Sequence, residues 1–403
     1  MIFLAVEELL KKQLGVTSVE LSVPKNSEYG DVAFPCFSLA KEQKKSPVAI
    51  AEEFAKKLKP SGLVKEITAI AGFVNFKIDR QALAKQLLPK IDETFGSSKD
   101  GKKKRVVVEF SSPNIAKPFS IGHLRSTVIG RSLANLYVSQ GWSVTRLNHP
   151  GDWGTQFGKL IVGFKKWGDE KKLEADPIKH LLDVYVAFHK ELEIHPELEE
   201  QARAAFAELE LGKKEYVALW KQFRDLSLRE FKKIYVLLDV SFDEEHGESF
   251  YTDKMSAVLA LAKKKNVSEM SDGALIIPLE GMPPVLLLKS NGSSTYHTRD
   301  MASAVYRINK LKAEKLVYVV GQEQILHFKQ VFSALSKLGY DSSTMCHVPF
   351  GLYQFSEGKM STRKGNVIFL EDILSQAQEL VLKTIKEKNP GLSDKETVAR
   401  IVG

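Results

Sequence analysis

The stretch RVVVEFSSPNIAKPFSIGHLRST, residues 105–127, decides the fold of the larger part of the chain. Its first six residues, Arg105–Phe110, form a short β-branched run, which is typical of a buried strand. A Ser-Ser-Pro-Asn turn follows, and apolar residues then recur at helical spacing from Ile121 to Val138. Strand, loop and helix in this order are typical of a nucleotide-binding α/β unit, so we expect a Rossmann-like α/β domain.

Three further apolar runs alternate with segments of helical spacing: Leu275–Leu279, Val285–Leu288 and Leu316–Val320. This alternation predicts more strands of the same sheet, which should be at least partly parallel. Between the two halves, residues 165–250 are rich in helix formers and hold 14 basic against 20 acidic residues, a net charge of −6. A negative helical insertion in a positive chain should face solvent rather than a polyanion.

The first hundred residues predict a small α+β domain of their own. The sequence PVAIAEEFAKKL, residues 47–58, has proline at a helix start and then helical spacing, while residues 67–78 alternate like strands around a glycine. A Gly/Ser-rich segment at 95–101 has the composition of a linker. We therefore divide the chain into an N-terminal domain, a catalytic domain with its insertion, and the start of a helical C-terminal domain: 1–100, 101–372 and 373–403.

Composition excludes several classes of protein. The 403 residues include 58 Lys or Arg and 50 Asp or Glu, a net charge of +8, with 43% apolar residues, as in ordinary globular proteins. No apolar run approaches the roughly 18 residues that span a bilayer, and the opening segment is too short and too acidic for a signal peptide, so we expect a cytoplasmic protein without a membrane partner. The cysteines, Cys36 and Cys346, lack partners at metal-ligand spacing and should be two isolated buried thiols.

A Gly-His pair marks the start of the helix in the first stretch. Backbone N–H groups and the positive helix end at Gly122 favour a bound phosphate, and glycine permits close approach. His123 lies within the first turn, where it can donate a hydrogen bond to developing phosphate charge. For an isolated Gly-His pair, a helix start with a surface histidine is the alternative.

A second motif, GKMSTRKGN at residues 358–366, holds three cations and no acid between glycines. Such a loop can close over a triphosphate and neutralise the charge that builds as pyrophosphate leaves. The alternative for this segment alone is a solvated basic loop.

Together these segments resemble class I aminoacyl-tRNA synthetases, in which SIGHLRST and GKMSTRKGN correspond to the two sequence marks. Longer sequence segments are similar to those of the arginyl-tRNA synthetase family, and this similarity covers most of residues 105–375. It includes EFSSPNIAKPF at 109–119, NHPGDWGTQFG at 148–158, YHTRD at 296–300 and VVGQEQ at 319–324. The segment YGDVAF, residues 29–34, is also similar to the extra N-terminal domain of that family.

The resemblance implies roles for individual residues. Those implied to contact ATP or its phosphates are Lys117, Gly122, His123, Lys359 and Lys364, with His123 and the two loop lysines in catalysis. Those implied to hold the α-amino and carboxylate end of arginine are Ser112, Asn114 and Gln324. Those implied to surround its guanidinium are Glu109, Tyr296 and Asp300.

Elementary chemistry agrees with this pocket, since a guanidinium is a planar fork of donors best recognised by carboxylates and a phenol. Each residue also has a plainer interpretation. Glu109 would be a surface acid on an edge strand, Asp300 the N-cap of a helix, and Tyr296 a core aromatic.

Two positions depart from the family pattern. Ser120 stands where the first histidine of the His-x-Gly-His tetrad is usual, which leaves open what replaces that imidazole. Thr362 occupies the second lysine position of the basic loop, and we favour Lys364 over Arg363 for its role because Gly365 allows the chain to turn inward.

The implied reaction joins L-arginine to the 3′ end of tRNA(Arg) through arginyl-adenylate, with release of AMP and diphosphate. ATP is a substrate and should enter with Mg²⁺, while no tightly bound metal or organic cofactor is expected. The resemblance further implies that tRNA binds before arginine is activated efficiently and that the terminal 2′-hydroxyl attacks. We expect a monomer.

Two features of the sequence bear on contacts with tRNA. The N-terminal domain is similar to the one that touches the outer corner of tRNA in this family, but its weak net charge argues against a strong phosphate footprint. Aromatic contacts through Tyr29, Phe34 and Phe37 are an alternative to their use in the core. The resemblance implies a sizeable helical anticodon-binding domain after the basic loop, where only about 30 residues follow. Either the chain is truncated or that domain is absent. We favour truncation and expect a chain that binds arginine and ATP but charges tRNA poorly.

Three other functions stay open at this point. The chain could be a class I synthetase for another amino acid, a nucleotidyltransferase with a similar helix start, or a non-catalytic RNA-binding paralogue.

Overall fold

The computed structural model describes residues 1–16, 18–353 and 369–403. The basic loop at 358–366, with the predicted site residues Lys359 and Lys364, lies outside the described residues. The chain divides into two units, Met1–Gly96 and Ser97–Gly403, each folded around its own apolar core.

The first unit packs helices against a three-stranded antiparallel sheet of order β1-β3-β2. The predicted helix at 47–58 is confirmed as a helix over Pro47–Lys57. It begins there because Ser46 Oγ accepts a hydrogen bond from the Ala49 N–H at 3.2 Å and Pro47 occupies the first helical position. The two strands predicted around a glycine are confirmed as well. In chain order the elements are α1 (Ile2–Leu14), β1 (Val32–Pro35), α2 (Phe37–Gln43), α3 (Pro47–Lys57), β2 (Val64–Ile70), β3 (Phe73–Ile78) and α4 (Arg80–Leu87).

The second unit begins with the strand and helix that the first stretch predicts. Up to the end of the helical segment its elements are β4 (Arg105–Glu109), α5 (Ile121–Ser139), β5 (Ser143–Asn148), α6 (Thr155–Trp167), α7 (Glu170–Ala175), α8 (Pro177–Leu192), α9 (Glu197–Glu210) and α10 (Lys214–Leu237). The remaining elements are β6 (Glu244–Glu245), α11 (Met255–Lys264), β7 (Glu269–Ser271), β8 (Ala274–Leu279), β9 (Met282–Leu288), α12 (Tyr296–Asn309), β10 (Lys315–Gly321), α13 (Ile325–Lys337), β11 (Met345–Phe350), α14 (Leu370–Lys388) and α15 (Lys395–Val402).

Five strands form a fully parallel sheet of order β11-β10-β4-β5-β6. Alternate residues of β4 enter the apolar clusters on opposite faces, Val106 and Val108 on one and Val107 on the other. The order runs outward from β4 in both directions, as in nucleotide-binding folds, so the chain reverses its winding between β4 and β10. The expected α/β fold with a parallel sheet is confirmed.

Two of the three further strands were assigned to the wrong sheet. Leu316–Val320 lies in the parallel sheet as β10, whereas Leu275–Leu279 and Val285–Leu288 belong to a separate antiparallel sheet of order β7-β8-β9. The tight connection between β8 and β9 has Gly281 at φ 69°, and such a short turn permits only antiparallel pairing. An apolar run predicts a strand but not its partner.

Two expectations about membrane spans and cysteines can be compared with the structure. Within the described ranges, no helix combines the length and the apolar character needed to cross a lipid bilayer. Cys36 is buried, but Cys346 is exposed on the edge strand β11, so the prediction of two buried thiols is wrong for Cys346.

Candidate active site

A cavity of about 610 Å³ opens at the carboxyl ends of β4 and β10, where the strand order reverses. Ligands of open parallel sheets bind at this point of the fold. Eight predicted site residues, separated by up to 215 positions in sequence, line this one cavity: Glu109, Ser112, Asn114, Gly122, His123, Tyr296, Asp300 and Gln324.

Lys117 is placed elsewhere among the described residues. It lines a second, small cavity, and its Nζ lies 5.8 Å from the ring centroid of Tyr185 on α8. Lys117 is thus not among the residues that line the large cavity, although its charge acts on His123 and adds to the lowering of that pKa, and its predicted role at the ATP phosphates stays a prediction.

His123 occupies the third position of α5, and its neighbour Ser120 is the N-cap of that helix. The Ser120 backbone N–H donates to His123 Nδ1 at 3.1 Å, and the Ser120 hydroxyl is 3.3 Å from the same nitrogen. Burial lowers the pKa of His123 to about 4, so the imidazole is neutral near pH 7. A neutral ring that accepts at Nδ1 carries its proton on Nε2 and can donate it to a ligand.

The loop after β4 has strained backbone. Ser111 and Ser112 have φ values of 72° and 50°, which non-glycine residues rarely adopt. The Ser111 N–H donates to Ser126 Oγ at 2.9 Å, and the Ser112 N–H donates to Asn148 Oδ1 at 3.2 Å. Tyr235, from α10, adds its hydroxyl 2.9 Å from Ser111 Oγ. Side chains from three other elements thus hold the loop in a shape that faces the cavity.

Asn114 is fixed by close approach of the loop after β5. The Gly151 N–H donates to the Pro113 carbonyl at 3.1 Å, and the Ile115 N–H donates to the Gly151 carbonyl at 3.1 Å. A Cβ at Gly151 would overlap the Asn114 amide oxygen, so glycine allows this approach without displacing that side chain. The backbone at Asn114 is thereby held at the cavity wall, which the residue lines.

Glu109 is 6% exposed and lies at the end of the central strand, so it is not a surface acid on an edge strand. Its Oε2 accepts from Nη1 of Arg307 at 2.5 Å, inside the protein. Sequence reasoning missed Arg307. The available signal was its spacing of seven residues from Asp300, which places both on one face of α12.

Asp300 lies in the second turn of α12, which begins at Tyr296 with Thr295 as N-cap, so Asp300 is not a helix cap. Its Oδ2 accepts from His327 Nε2 at 2.6 Å. Burial alone would raise the pKa of Asp300, but the hydrogen bond and charge of His327 outweigh it and lower the pKa. Tyr296 is 60% exposed and stacks on His297 at 4.2 Å, so it is not a core aromatic.

Glu248 is a further carboxylate of the cavity wall that the sequence motifs did not indicate. It follows Gly247 at the start of a short 3₁₀ helix, and its Oε2 is 3.2 Å from Nη1 of Arg299. Burial raises the pKa of Glu248, against the lowering effect of Arg299. Three acids, Glu109, Glu248 and Asp300, therefore surround one part of the cavity, which suits a cationic ligand.

The described residues contain no group of three or more His, Cys, Asp or Glu side chains placed to hold a metal ion. The residues that line the described part of the cavity offer hydrogen-bond donors, hydrogen-bond acceptors and charge. One neutral imidazole, a helix start and several acids can hold a phosphate-bearing and a cationic ligand side by side.

Comparison with known proteins identifies the family. Residues 85–403 match the model of the class I tRNA synthetase (R) catalytic domain, and residues 2–78 match that of the arginyl-tRNA synthetase N-terminal domain. The chain is 48% identical to the arginine–tRNA ligase of Clostridioides difficile over 99% of its length and 71% of the relative, and 49% identical to that of Clostridium perfringens over 95% and 69%. The chain thus spans about 70% of these relatives' length.

A solved structure shows the same fold. The arginyl-tRNA synthetase of Thermus thermophilus superposes with a TM-score of 0.79 at 24% identity, covering 99% of this chain and 73% of that one. This superposition shows a shared fold, whereas the sequence identity and coverage of the two clostridial relatives show membership of their family. The chain therefore belongs to the arginyl-tRNA synthetase family, the class I ligases that use ATP to attach arginine to tRNA(Arg).

Proposed function

We propose that the cavity binds arginine and ATP side by side and forms arginyl-adenylate. The observation that carries the proposal is the convergence of eight residues from β4, the loop after β4, α5, α12 and the β10–α13 connection on one cavity. Glu109, Asp300 and Tyr296 face the guanidinium in this arrangement. Burial raises the pKa of Tyr318, and the charges of Glu109 and Asp300 raise it further. That both carboxylates act on one buried phenol supports the view that they lie close together.

The α-amino and carboxylate end of arginine is assigned to Ser112, Asn114 and Gln324. Ser112 Oγ is buried and has no hydrogen-bond partner among the described residues, as a group that awaits a ligand would be. Gln324 ends the short 3₁₀ helix that follows β10 and lines the same cavity. A neutral amino acid would offer no charged donor to the second oxygens of Glu109 and Asp300, which disfavours it.

The ATP side is assigned to Gly122 and His123 at the start of α5. An arginine carboxylate oxygen attacks the α-phosphorus in line, the new bond gives arginyl-adenylate, and the bond to diphosphate breaks. The Nε2–H of His123 donates to phosphate oxygens as charge builds on them. Lys117, Lys359 and Lys364 are proposed to neutralise the triphosphate, with Mg²⁺ entering on ATP.

Transfer then needs the 3′ end of tRNA(Arg). A terminal ribose hydroxyl, proposed to be the 2′-hydroxyl, attacks the adenylate carbonyl, the bond between the carbonyl carbon and the phosphate oxygen breaks, AMP leaves, and the hydroxyl proton is released to solvent. We assign residues 1–100 to contact with the outer corner of tRNA, 101–372 to catalysis and 373–403 to the start of a helical domain that reads the anticodon. A cytoplasmic monomer fits these roles.

The test is pyrophosphate exchange with ATP, measured with arginine, lysine or glutamine and with or without tRNA(Arg). We expect exchange only with arginine, and a strong increase when tRNA(Arg) is added. Equal exchange with lysine would overturn the assignment of the guanidinium pocket. Exchange independent of any amino acid would overturn the adenylate reaction.

A further inference from the structure

Arg307 is the largest side chain that is fully buried in the described residues, with 0% of its surface exposed. It lies near the end of α12, and Nη1 contacts Oε2 of Glu109 at 2.5 Å. Burial alone would lower the pKa of Arg307, but the Glu109 carboxylate together with Tyr251 and Tyr318 outweighs burial and raises the pKa, so the guanidinium stays charged. A permanent cation thus lies beneath the cavity.

Stability alone does not explain this ion pair. Burying two charges costs free energy that their attraction only partly offsets, and apolar residues of similar volume often serve as well. Among the described residues, Arg307 Nε and Nη2 have no hydrogen bond of normal geometry, although the Tyr251 hydroxyl acts on the guanidinium, so the guanidinium is not fully satisfied. Its other neighbours are aromatic, with the ring centroids of Tyr251 and Tyr318 at 5.7 and 5.4 Å from Cζ.

The position of Arg307 relates two walls of the cavity. Tyr296, Asp300 and Ser303 line the cavity from α12, and Arg307 continues the same helical face one turn beyond Ser303. Glu109 comes from β4, where it is the register partner of Tyr318 on β10. The ion pair therefore links the helix that carries Asp300 to the strand that carries Glu109.

We propose that Arg307 is a positioning residue for arginine recognition, which holds one oxygen of Glu109 so that the other is presented to the substrate guanidinium. Asp300 is held in the same way as Glu109, by one carboxylate oxygen. His327 binds Oδ2, and no described residue forms a hydrogen bond with Oδ1. Each acid is held by one oxygen and offers the second. This inference rests on the proposed function, in which Glu109 contacts the guanidinium.

The test is a double-mutant cycle with the full chain, in which binding of labelled L-arginine and of ATP is measured by equilibrium dialysis. Arg307→Met should weaken arginine binding by at least about tenfold, because the oriented charged hydrogen bond is lost. Arg307→Lys keeps the charge but not the fork and should restore part of the affinity. ATP affinity should stay within about twofold in both variants.

The cycle separates positioning from bulk packing. Since Arg307 acts through Glu109, the double variant Glu109→Gln/Arg307→Met should bind arginine no worse than Glu109→Gln alone, within about twofold. A packing role would instead give additive losses and would lower ATP affinity as well, and either result overturns the proposal.

Controls keep the outcome decisive. Arg131→Met removes an arginine that pairs with Asp239 at the surface of the same unit, and it should leave arginine binding unchanged. If Arg307→Met does not fold, as judged by thermal unfolding, Arg307→Lys carries the test, and unchanged arginine affinity in that folded variant overturns the inference. A wild-type chain that binds no arginine would instead overturn the proposed function.

Discussion

The backbone N–H of Ser120 donates a hydrogen bond to Nδ1 of His123 at 3.1 Å. This bond fixes the Nε2–H tautomer of the imidazole, because a nitrogen that accepts from an amide cannot carry the proton. Ser120 occupies the position at which the family pattern has a histidine. In this chain the residue does not supply a second imidazole but orients the remaining one, through its amide and the capping geometry of α5.

The first prediction concerns that imidazole. His123→Ala should lower the rate of tRNA-dependent pyrophosphate exchange by about 10²- to 10³-fold, since one donor to the developing phosphate charge is lost. Arginine affinity should stay within about twofold, because His123 is assigned to ATP. His195→Ala removes an exposed imidazole of the same unit and should leave the rate unchanged. A rate loss below about threefold in His123→Ala would contradict the assignment.

The second prediction is a pH dependence of stability. The pKa of His123 is about 4 when folded against 6.5 as reference, so between these values the unfolded chain binds a proton that the folded chain does not. This contribution to the free energy of unfolding is present above pH 6.5 and is lost as pH falls towards 4. At pH 5 the loss amounts to roughly 2 kcal/mol.

The measurement is urea unfolding at pH 7 and pH 5. His123→Ala should show a smaller difference between the two pH values than the wild type, by roughly 2 kcal/mol. Ser132→Ala, on the exposed face of the same helix, changes no titratable group and should keep the wild-type difference. Equal pH differences in His123→Ala and the wild type would show that the folded imidazole is not held neutral.

Local sequence patterns predicted the helices and strands well but did not predict which strands pair. The β-branched run at 105–110 and the helical spacing after Ile121 predicted β4 and α5, because strand and helix periods are properties of the neighbouring residues. Pairing is not local. The apolar runs of β8 and β9 look like strands of the parallel sheet, and only the short turn between them makes a separate hairpin.

The sequence predicted those site residues that belong to recognisable family motifs. Eight residues named from the family resemblance line one cavity, although their spacing in sequence is wide. The spacing from Asp300 places Arg307 on the same face of α12, but its burial was not predictable, because an isolated arginine in a helix is ordinarily exposed and this one is buried against Glu109, a residue on a distant strand. Lys117 shows the reverse case, since a motif position does not fix where a long side chain points.

The third prediction addresses the guanidinium pocket. Asp300→Asn should weaken arginine binding by about 10- to 100-fold, because an ionised acceptor becomes a neutral amide. The pKa of Asp300 is lowered by His327 despite burial, so the loss should be as large at pH 6 as at pH 8. Equilibrium dialysis with arginine, lysine and glutamine measures affinity and selectivity together. Asp341→Asn, on an exposed cap, is the matched control.

The fourth prediction tests the support of the strained loop. The Tyr235 hydroxyl is 2.9 Å from Ser111 Oγ and accepts from Asn148 Nδ2 at 3.3 Å. Tyr235→Phe should lower the free energy of unfolding by about 1–2 kcal/mol, because buried partners lose a hydrogen bond. Tyr340→Phe removes an exposed hydroxyl that accepts from Asn309 and should cost less than about 0.5 kcal/mol. Urea unfolding measures both variants, and equal losses would mean that the buried network adds nothing.

The last prediction uses the close approach at Gly151. A Cβ there would overlap the amide oxygen of Asn114 and lie 3.2 Å from its Cγ, while the backbone on both sides is held by hydrogen bonds and cannot retreat freely. The side chain of Asn114 must therefore rotate away in Gly151→Ala. Arginine affinity should fall by about tenfold, the value of one hydrogen bond to a charged group, and ATP affinity should be unaffected.

Two comparisons decide whether Gly151 acts through Asn114. Gly391→Ala places a Cβ with no atom within 4 Å and should bind arginine like the wild type. Asn114→Ala should reproduce the loss seen in Gly151→Ala, and the double variant should be no worse than either, since both changes remove the same contact. Additive losses would mean that Gly151→Ala disturbs the loop more widely, and full arginine affinity in Asn114→Ala would remove Asn114 from the pocket.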